Sequence, residues 1–488
     1  MQQPSKPLLQ ILAVALLGFG LHGCSASADG DADAAGDLEI VLTVAPHASN
    51  SLMAVASITS DSGGLAAIRF SRDGASERMS RWASVDANGT VDIVVVGMRA
   101  ESEYRLSAVL ERADGQTSES AGVVHTTGAV PANAPMVTLS QAASTGSDGG
   151  ITILSHGSGR RTDTTAPLYF GVDEEGEIVW YLHDTDIRSS DGVARGLGNG
   201  NLQVFLTDSV AEITPAGELV ASYGFGEHDF HHDAVVLASG NVLLLSTETT
   251  LVDNAASAHD GELIAYDVIY EVDPESGQTV WSWSTAEHLD TARFPGALAE
   301  RSAAQGGLDW SHANALAASP NGDTVLLSSR SQDWVINIDR TTDEILWIFG
   351  EESPLGTPSF SEAFFELENG TFQTAQHAPT LAANGDLLLF DNRNESGGGT
   401  SASRAVRYSL NETDATARQE WEFVAPKYAP RLGDVDELEN GNVLVCAGGG
   451  DDETAYLSEV ALDGSVVWEV VVHDEVYRAE RISWDNFR

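Results

Sequence analysis

The stretch SPNGDTVLLSSRSQDWVINIDRTTDEILWIF, residues 319–349, decides how this chain folds. Asn321-Gly322 is a hairpin-turn signal, because both positions tolerate a positive φ, and it opens the aliphatic strand DTVLLS. A strand pair follows, INIDRTTDEILWIF, with Trp347 near its end. The same unit recurs from residue 136 onward. Its Gly-turn strands are GGITILS (149), NGNLQVFL (199), SGNVLLLS (239), NGDTVLLS (321), NGDLLLF (384) and NGNVLVC (440). Each is followed by a pair of the form x-V-x-x-x-x-G-x-x-V-W, degenerate in the fifth copy. Trp180, Trp281, Trp347, Trp421 and Trp468 hold the V-W place, and the second copy has none. A four-stranded unit repeated six times cannot bury its faces alone. The expected fold is therefore all-β: a six-bladed β-propeller over residues 136–488, with the tryptophans packed between blades.

Outward from the repeat, residues 38–130 alternate apolar and polar in short runs (LEIVLTV, LMAVASI, TVDIVVV, EYRLSAVLE) separated by Ser/Gly/Asp turns. That spacing predicts a small immunoglobulin- or fibronectin-like β-sandwich, with Tyr104 in the tyrosine-corner place and GAVPANAP, 128–135, as linker. Residues 1–24 read as a signal peptide: one lysine, then an apolar run from Leu8 to Leu21 too short to span a bilayer comfortably. Leu21-His22-Gly23-Cys24 resembles a lipoprotein box, which would make Cys24 the lipidated first residue of the mature chain. Ser25 after it suits outer-membrane sorting in a Gram-negative cell, and residues 25–37 are an acidic tether. The expectation is an exported, lipid-anchored protein on the periplasmic or cell-surface side of the outer membrane. The other cysteine is Cys446, so the mature chain has no internal disulfide to form.

Charge excludes whole classes of function. The 488 residues carry 73 acidic against 25 basic side chains, a formal charge of -48. No basic face for nucleic acid can be built on that balance. Lysine occurs twice, at Lys6 and Lys427, and no Gly-x-x-x-x-Gly-Lys-Ser/Thr loop is present to cradle a nucleotide phosphate.

Against this background, histidine recurs at one register of the repeat. His232 precedes Gly240 by eight residues, His377 precedes Gly385 by eight, and His312 precedes Gly322 by ten across a hairpin two residues longer. These positions begin the first strand of three blades, so three imidazoles are expected to converge at one end of the axial channel. Asn321 lies midway between His312 and Arg330, and an antiparallel hairpin returns such residues to the same end. By the same reflection Glu248 should neighbour His232, and Asn392 or Arg393 should neighbour His377.

At this point the residues resemble a family. His231-His232-Asp233 before a Gly-Asn turn, Asp309-Trp310-Ser311-His312-Ala313-Asn314, Ser329-Arg330-Ser331-Gln332-Asp333-Trp334 and Gln376-His377 before an Asn-Gly turn are similar to the bacterial aryl-sulfate sulfotransferases. The D-W-x-H-x-N to S-R-x-Q-D-W block is the most specific part. That family also places a small β-sandwich before a six-bladed propeller, so the resemblance covers about residues 38–488. It implies ping-pong sulfuryl transfer from an aryl sulfate to a phenol through a sulfated histidine, with neither a nucleotide donor nor a cofactor. Carried over, His377 falls on the sulfated histidine and His232, His312 and Arg330 on its helpers; Asn314, His231 and Arg393 are assigned to substrate binding. The partners implied are a small aryl sulfate and a phenolic acceptor, with no nucleic acid, and membrane contact through Cys24 alone. The oligomeric state stays open, a homodimer included.

The residue types suit this chemistry independently. A planar guanidinium offsets the charge of a sulfate ester, and a neutral imidazole with an ordinary pKa near 6.5 is a nucleophile that needs no lysine or metal. Two other readings fit the same residues: a metal-dependent hydrolase using the three histidines, and a non-catalytic, lipid-anchored binding module. An arginine in the pocket disfavours the first, and joint retention of His232, His312, Arg330 and His377 the second.

Overall fold

A computed structural model describes residues 40–156, 169–182, 194–206, 208–253, 259–291, 293–294, 307–352, 364–393, 402–450 and 453–487. The expected signal peptide, Cys24 and the tether lie outside them. Among the described residues the chain is all-β: thirty-six strands and one four-residue helix, Thr285–His288. No helix there is long and apolar enough to cross a membrane.

The N-terminal strands form two antiparallel sheets. Ile40–Pro46, Ala54–Ser60 and Gly89–Val95 make one, and Gly64–Ser71 with Glu103–Glu111 centres the other. Both contribute to one apolar cluster that includes Ala56, Ile58, Ile68, Phe70, Ile93 and Leu106. Tyr104 is buried there, and its hydroxyl accepts the Arg99 amide at 2.9 Å, which ties the strand start to the loop before it.

Six further sheets follow in chain order. Four consist of consecutive strands: Arg195–Gly196 to Leu219–Gly224, Ala234–Val236 to Gln278–Ser284, Ala313–Ala318 to Ile345–Phe349, and His377–Leu381 to Thr416–Val424. The first and sixth are completed from the far ends of the segment. Ile151–His156, Tyr169–Val172 and Ile178–Leu182 take Val476–Ile482 as their fourth strand. Asp434–Glu437 to Val466–Val472 take Val137–Gln141 as a fifth.

The repeat read from the sequence is visible atom by atom. Gly200, Gly240, Gly322, Gly385 and Gly441 all adopt φ between +75° and +89° in the turn after the first strand, a conformation glycine enters without cost. A register shift recurs just before the last turn of all six sheets, at Gly171/Val172, Glu212/Ile213, Glu271/Val272, Asn337/Ile338, Arg407/Tyr408 and Glu459/Val460. Second strands such as Leu387–Asp391 and Val443–Ala447 are buried along their whole length, because neighbouring sheets cover both faces. The apolar clusters straddle consecutive sheets, and one joins Leu444, Leu457 and Trp468 of the sixth to Leu154, Phe170 and Tyr181 of the first. Four of the five V-W tryptophans reach the next sheet's turn, and Trp421 makes no such hydrogen bond among the described residues. Trp180 donates to Pro215 O at 2.7 Å, Trp281 to Asp343 Oδ1 at 2.7 Å, Trp347 to Glu412 Oε1 at 3.2 Å and Trp468 to Glu174 O at 3.0 Å.

Candidate active site

His232 and His312 end loops that enter the first strands of the third and fourth sheets, and His377 begins the first strand of the fifth. His232 (φ +58°) and His312 (φ +42°) sit in the left-handed region, as does Ala378 (φ +47°) directly after His377. Non-glycine residues hold that conformation only where their surroundings impose it, and such positions concentrate at functional sites. The imidazoles of His232 and His312 meet with ring centroids 5.2 Å apart. Tyr477 lies between the group's members, 6.1 Å from His232 and 6.3 Å from His377. The Arg330 amide donates to His312 O at 3.1 Å, so the reflection about Asn321 holds at the main chain.

Each ring is oriented from behind. His377 Nδ1 is 2.7 Å from Asn392 Oδ1, and the Asn392 amide group donates to Ala429 O and Leu432 O, both at 2.8 Å. Carbonyls can only accept, so these two contacts fix which end of the amide is nitrogen. Asn392 Oδ1 must then accept from His377, which places the proton on Nδ1 and leaves Nε2 with a lone pair. His312 Nδ1 pairs in the same way with the Asp309 carboxylate. His377 is 3% exposed. Burial, then the Arg330 charge, holds its pKa well below the usual histidine range, against the opposing pull of Asn392; Arg478 and His312 add to the lowering. Burial also depresses His232, helped by His231, His312, His377 and Arg478, although the residue as a whole is only half-buried. Two neutral imidazoles at neutral pH are the result.

The remaining expected residues are placed as follows. Asn314 is fully buried and donates to Gln376 O at 2.8 Å, bracing the start of the His377 strand. His231 turns its nitrogens to His232 Nδ1 (2.7 Å) and toward Asp267 Oδ1 (3.0 Å, off the line of a hydrogen bond). Arg393 points its guanidinium at Asp391 and Glu422 rather than at the histidines. Glu248 is turned away too, its carboxylate bonded to Tyr266 and Tyr270. In that hairpin Ala234 pairs with Leu244, so the residue opposite His232 falls two positions earlier than the reflection required.

With this geometry in hand, comparison with known proteins is informative. Residues 136–478 match the family described as Arylsulfotransferase (ASST). The chain belongs to that family. It is 26% identical over 357 residues to the Arylsulfate sulfotransferase AssT of Escherichia coli O6:H1, covering 58% of each protein. It is 26% identical over 325 residues to the protein of the same name from Lelliottia amnigena, 53% of each. The match thus spans little more than half the length of these relatives. A solved protein of unknown function from Bacteroides caccae aligns over 68% of this chain and 98% of its own, at 14% identity and a TM-score of 0.41, too low to bear on the fold.

Two residues beside the histidines could not be read from the repeat. Tyr477 and Arg478 arrive on Val476–Ile482, the strand lent to the first sheet from the chain's end. Arg478 donates to Asp233 Oδ2 at 3.0 Å and to Asn314 O at 2.7 Å, while Asp233 also binds Arg195 at 2.9 Å. A cavity of ≈ 220 Å³ adjoins them, lined by Asp233, Ala378, Arg478 and the carboxylates of Asp434, Asp436 and Glu480.

Proposed function

We propose that this chain is an aryl-sulfate sulfotransferase that moves a sulfuryl group from a phenolic sulfate ester to a phenol through a sulfated His377, with no nucleotide donor. The observation that carries the reading is the fixed tautomer of His377: a buried, neutral imidazole whose Nδ1–H is held by Asn392 and whose Nε2 is bare. In the donor half-reaction Nε2 attacks sulfur, the S–O bond to the aryl group breaks, and the phenolate leaves with its electron pair. Arg330, whose charge already acts on His377, offsets the charge of the sulfuryl oxygens, and His312 and His232 assist. In the second half-reaction a phenol oxygen takes the sulfuryl group and the electron pair returns to Nε2.

We further propose that the six sheets close as a six-bladed propeller. The Trp468 contact to Glu174 and the cluster joining the sixth sheet to the first support this, as do the strands exchanged between them. The two N-terminal sheets would then be the β-sandwich. The leader predicts export and lipid anchoring at Cys24; Cys24→Ala should release the protein from the membrane fraction, and unchanged membrane association would exclude the anchor. For the reaction, incubation with a chromogenic aryl sulfate alone should leave a sulfuryl mass on the His377 peptide, and added phenol should discharge it. His377→Asn should abolish both. Label on His232 or His312 would reassign the nucleophile, and rapid turnover without label would mean direct transfer.

A further inference from the structure

Asp267 has no place in the reading above, yet it is a buried carboxylate, 3% exposed, on the third strand of the third sheet. Burial alone would favour its acid form. Instead His231, the Ala313 amide and the Ser311 hydroxyl (2.6 Å) hold its pKa below the ordinary range, so it is ionised. Ser311 and Ala313 flank His312, and His231 precedes His232, so this one carboxylate touches both histidine loops.

The proton sense of the chain follows from that charge. A bare ring nitrogen 3.0 Å from an ionised carboxylate oxygen would set a lone pair against negative charge, so the neutral tautomer of His231 that fits this position has its proton on Nε2 and offers Nδ1 as an acceptor. His232, 2.7 Å away through its own Nδ1, must be the donor. Its Nε2 is therefore bare. The groups facing His232 are the rings of His231, His312, His377 and Tyr477 and the guanidinium of Arg478. None of them would offset a positive charge on it, and Asp233 is already paired with Arg195 and Arg478.

We propose that Asp267 and His231 are positioning residues that make His232 the base for the incoming phenol. This rests on the sulfuryl-transfer reading. In the discharge step the phenol O–H breaks and its proton passes to His232 Nε2. The new S–O bond forms, the S–N bond to His377 breaks, and its electron pair returns to His377 Nε2. The cation formed at His232 then faces the Asp267 charge through His231. The proton is given up to solvent or to the phenolate released in the next donor half-reaction.

The test separates the two half-reactions in His231→Leu, His231→Gln and Asp267→Asn of the full chain. Loading of His377 from a nitrophenyl sulfate, whose leaving group needs no acid, should fall by clearly less than discharge does in His231→Leu, and an unchanged circular dichroism spectrum and denaturation midpoint show that the variant is folded. Discharge by phenol should fall tenfold or more, and discharge by a more acidic nitrophenol by clearly less, because a weakened base matters most for the weaker acid. Gln can accept from His232 and donate to Asp267, so His231→Gln should recover most of the phenol rate. Should His231→Leu fail to load, the same comparison in Asp267→Asn decides. Equal losses in loading and discharge, or an unchanged dependence on acceptor acidity, would overturn the relay and leave the sulfohistidine reading intact. Absence of label on wild-type His377 would overturn that reading itself.

Discussion

His377 Nδ1 lies 2.7 Å from Asn392 Oδ1, and the same amide is pinned through its nitrogen to two backbone carbonyls. In the proposed reaction the pair decides which imidazole nitrogen faces the sulfur. Asn392→Leu should release that constraint and leave Ala429 O and Leu432 O without their donor. Groups that orient a reactive or metal-bound imidazole are typically worth 10–100-fold, and an orphaned buried polar group costs about 1–3 kcal/mol. The loading rate should therefore drop about 10–100-fold by that rule, with a lowered denaturation midpoint. ¹⁵N shifts of His377 should report a mixture of tautomers; a single unchanged tautomer would sink the argument.

Arg330 acts on His377 as a charge, the largest cause after burial of its depressed pKa. Arg330→Gln should slow loading by about 10²–10³, the usual loss for one preorganised oxyanion contact. It should also let the His377 pKa rise, because a positive neighbour is gone. The acid limb of the loading rate then moves to higher pH. A slower rate with an unmoved limb would mean that Arg330 binds sulfate without tuning the nucleophile.

Two sets of buried groups tilt stability in opposite directions with pH. Burial lifts Glu480 to about 7, opposed by the Gly196 amide and Arg195, and lifts Asp434 to about 6, opposed by Arg478. A carboxyl raised above its unfolded value near 4 contributes stability that is complete below that value and is lost as pH rises through its folded pKa. His232 and His377 are lowered, so their contribution is present above about 6.5 and is lost as pH falls. Glu480→Gln keeps an acceptor for the Gly196 amide and removes the titration. Its Tm should exceed wild type by more at pH 8 than at pH 5; equal differences at both would show that Glu480 is not held neutral.

How much of this was legible in the sequence depends on whether the information is local. The shared register of His232, His312 and His377 is a property of the repeat, and the hairpin pairing Ala313 with Ser329 returns Arg330 to His312 as read. Asn392 and Arg393 could not be separated by that argument. Adjacent residues take opposite sides, and the structure sends Asn392 to His377 and Arg393, at φ +51°, to Asp391. Tyr477, Arg478 and Asp267 escaped for a different reason. The first two sit on a strand borrowed from the chain's end, and Asp267 lies on the third strand of its sheet, 36 residues beyond His231 in sequence. No periodicity marks contacts between residues so far apart in the chain.

Closure itself is testable at Trp468. The indole is 1% exposed, donates to Glu174 O in the first sheet, and carries Arg481 4.6 Å above its ring. Trp347 makes the equivalent contact between the fourth and fifth sheets, at Glu412. Truncating a buried aromatic to alanine typically costs about 3–5 kcal/mol, the lost transfer energy plus the cavity. In a closed ring every seam bears on every other, so Trp468→Ala and Trp347→Ala should lose similar stability, each in a single cooperative transition. In an open array the sixth sheet would be an end, held by one neighbour. Trp468→Ala would then split the denaturation curve into a weak first step and a main transition near the wild-type midpoint, while Trp347→Ala would shift the whole curve. Denaturant unfolding followed by tryptophan fluorescence and by circular dichroism distinguishes the two, and a split curve for Trp468→Ala alone would remove the case for a ring.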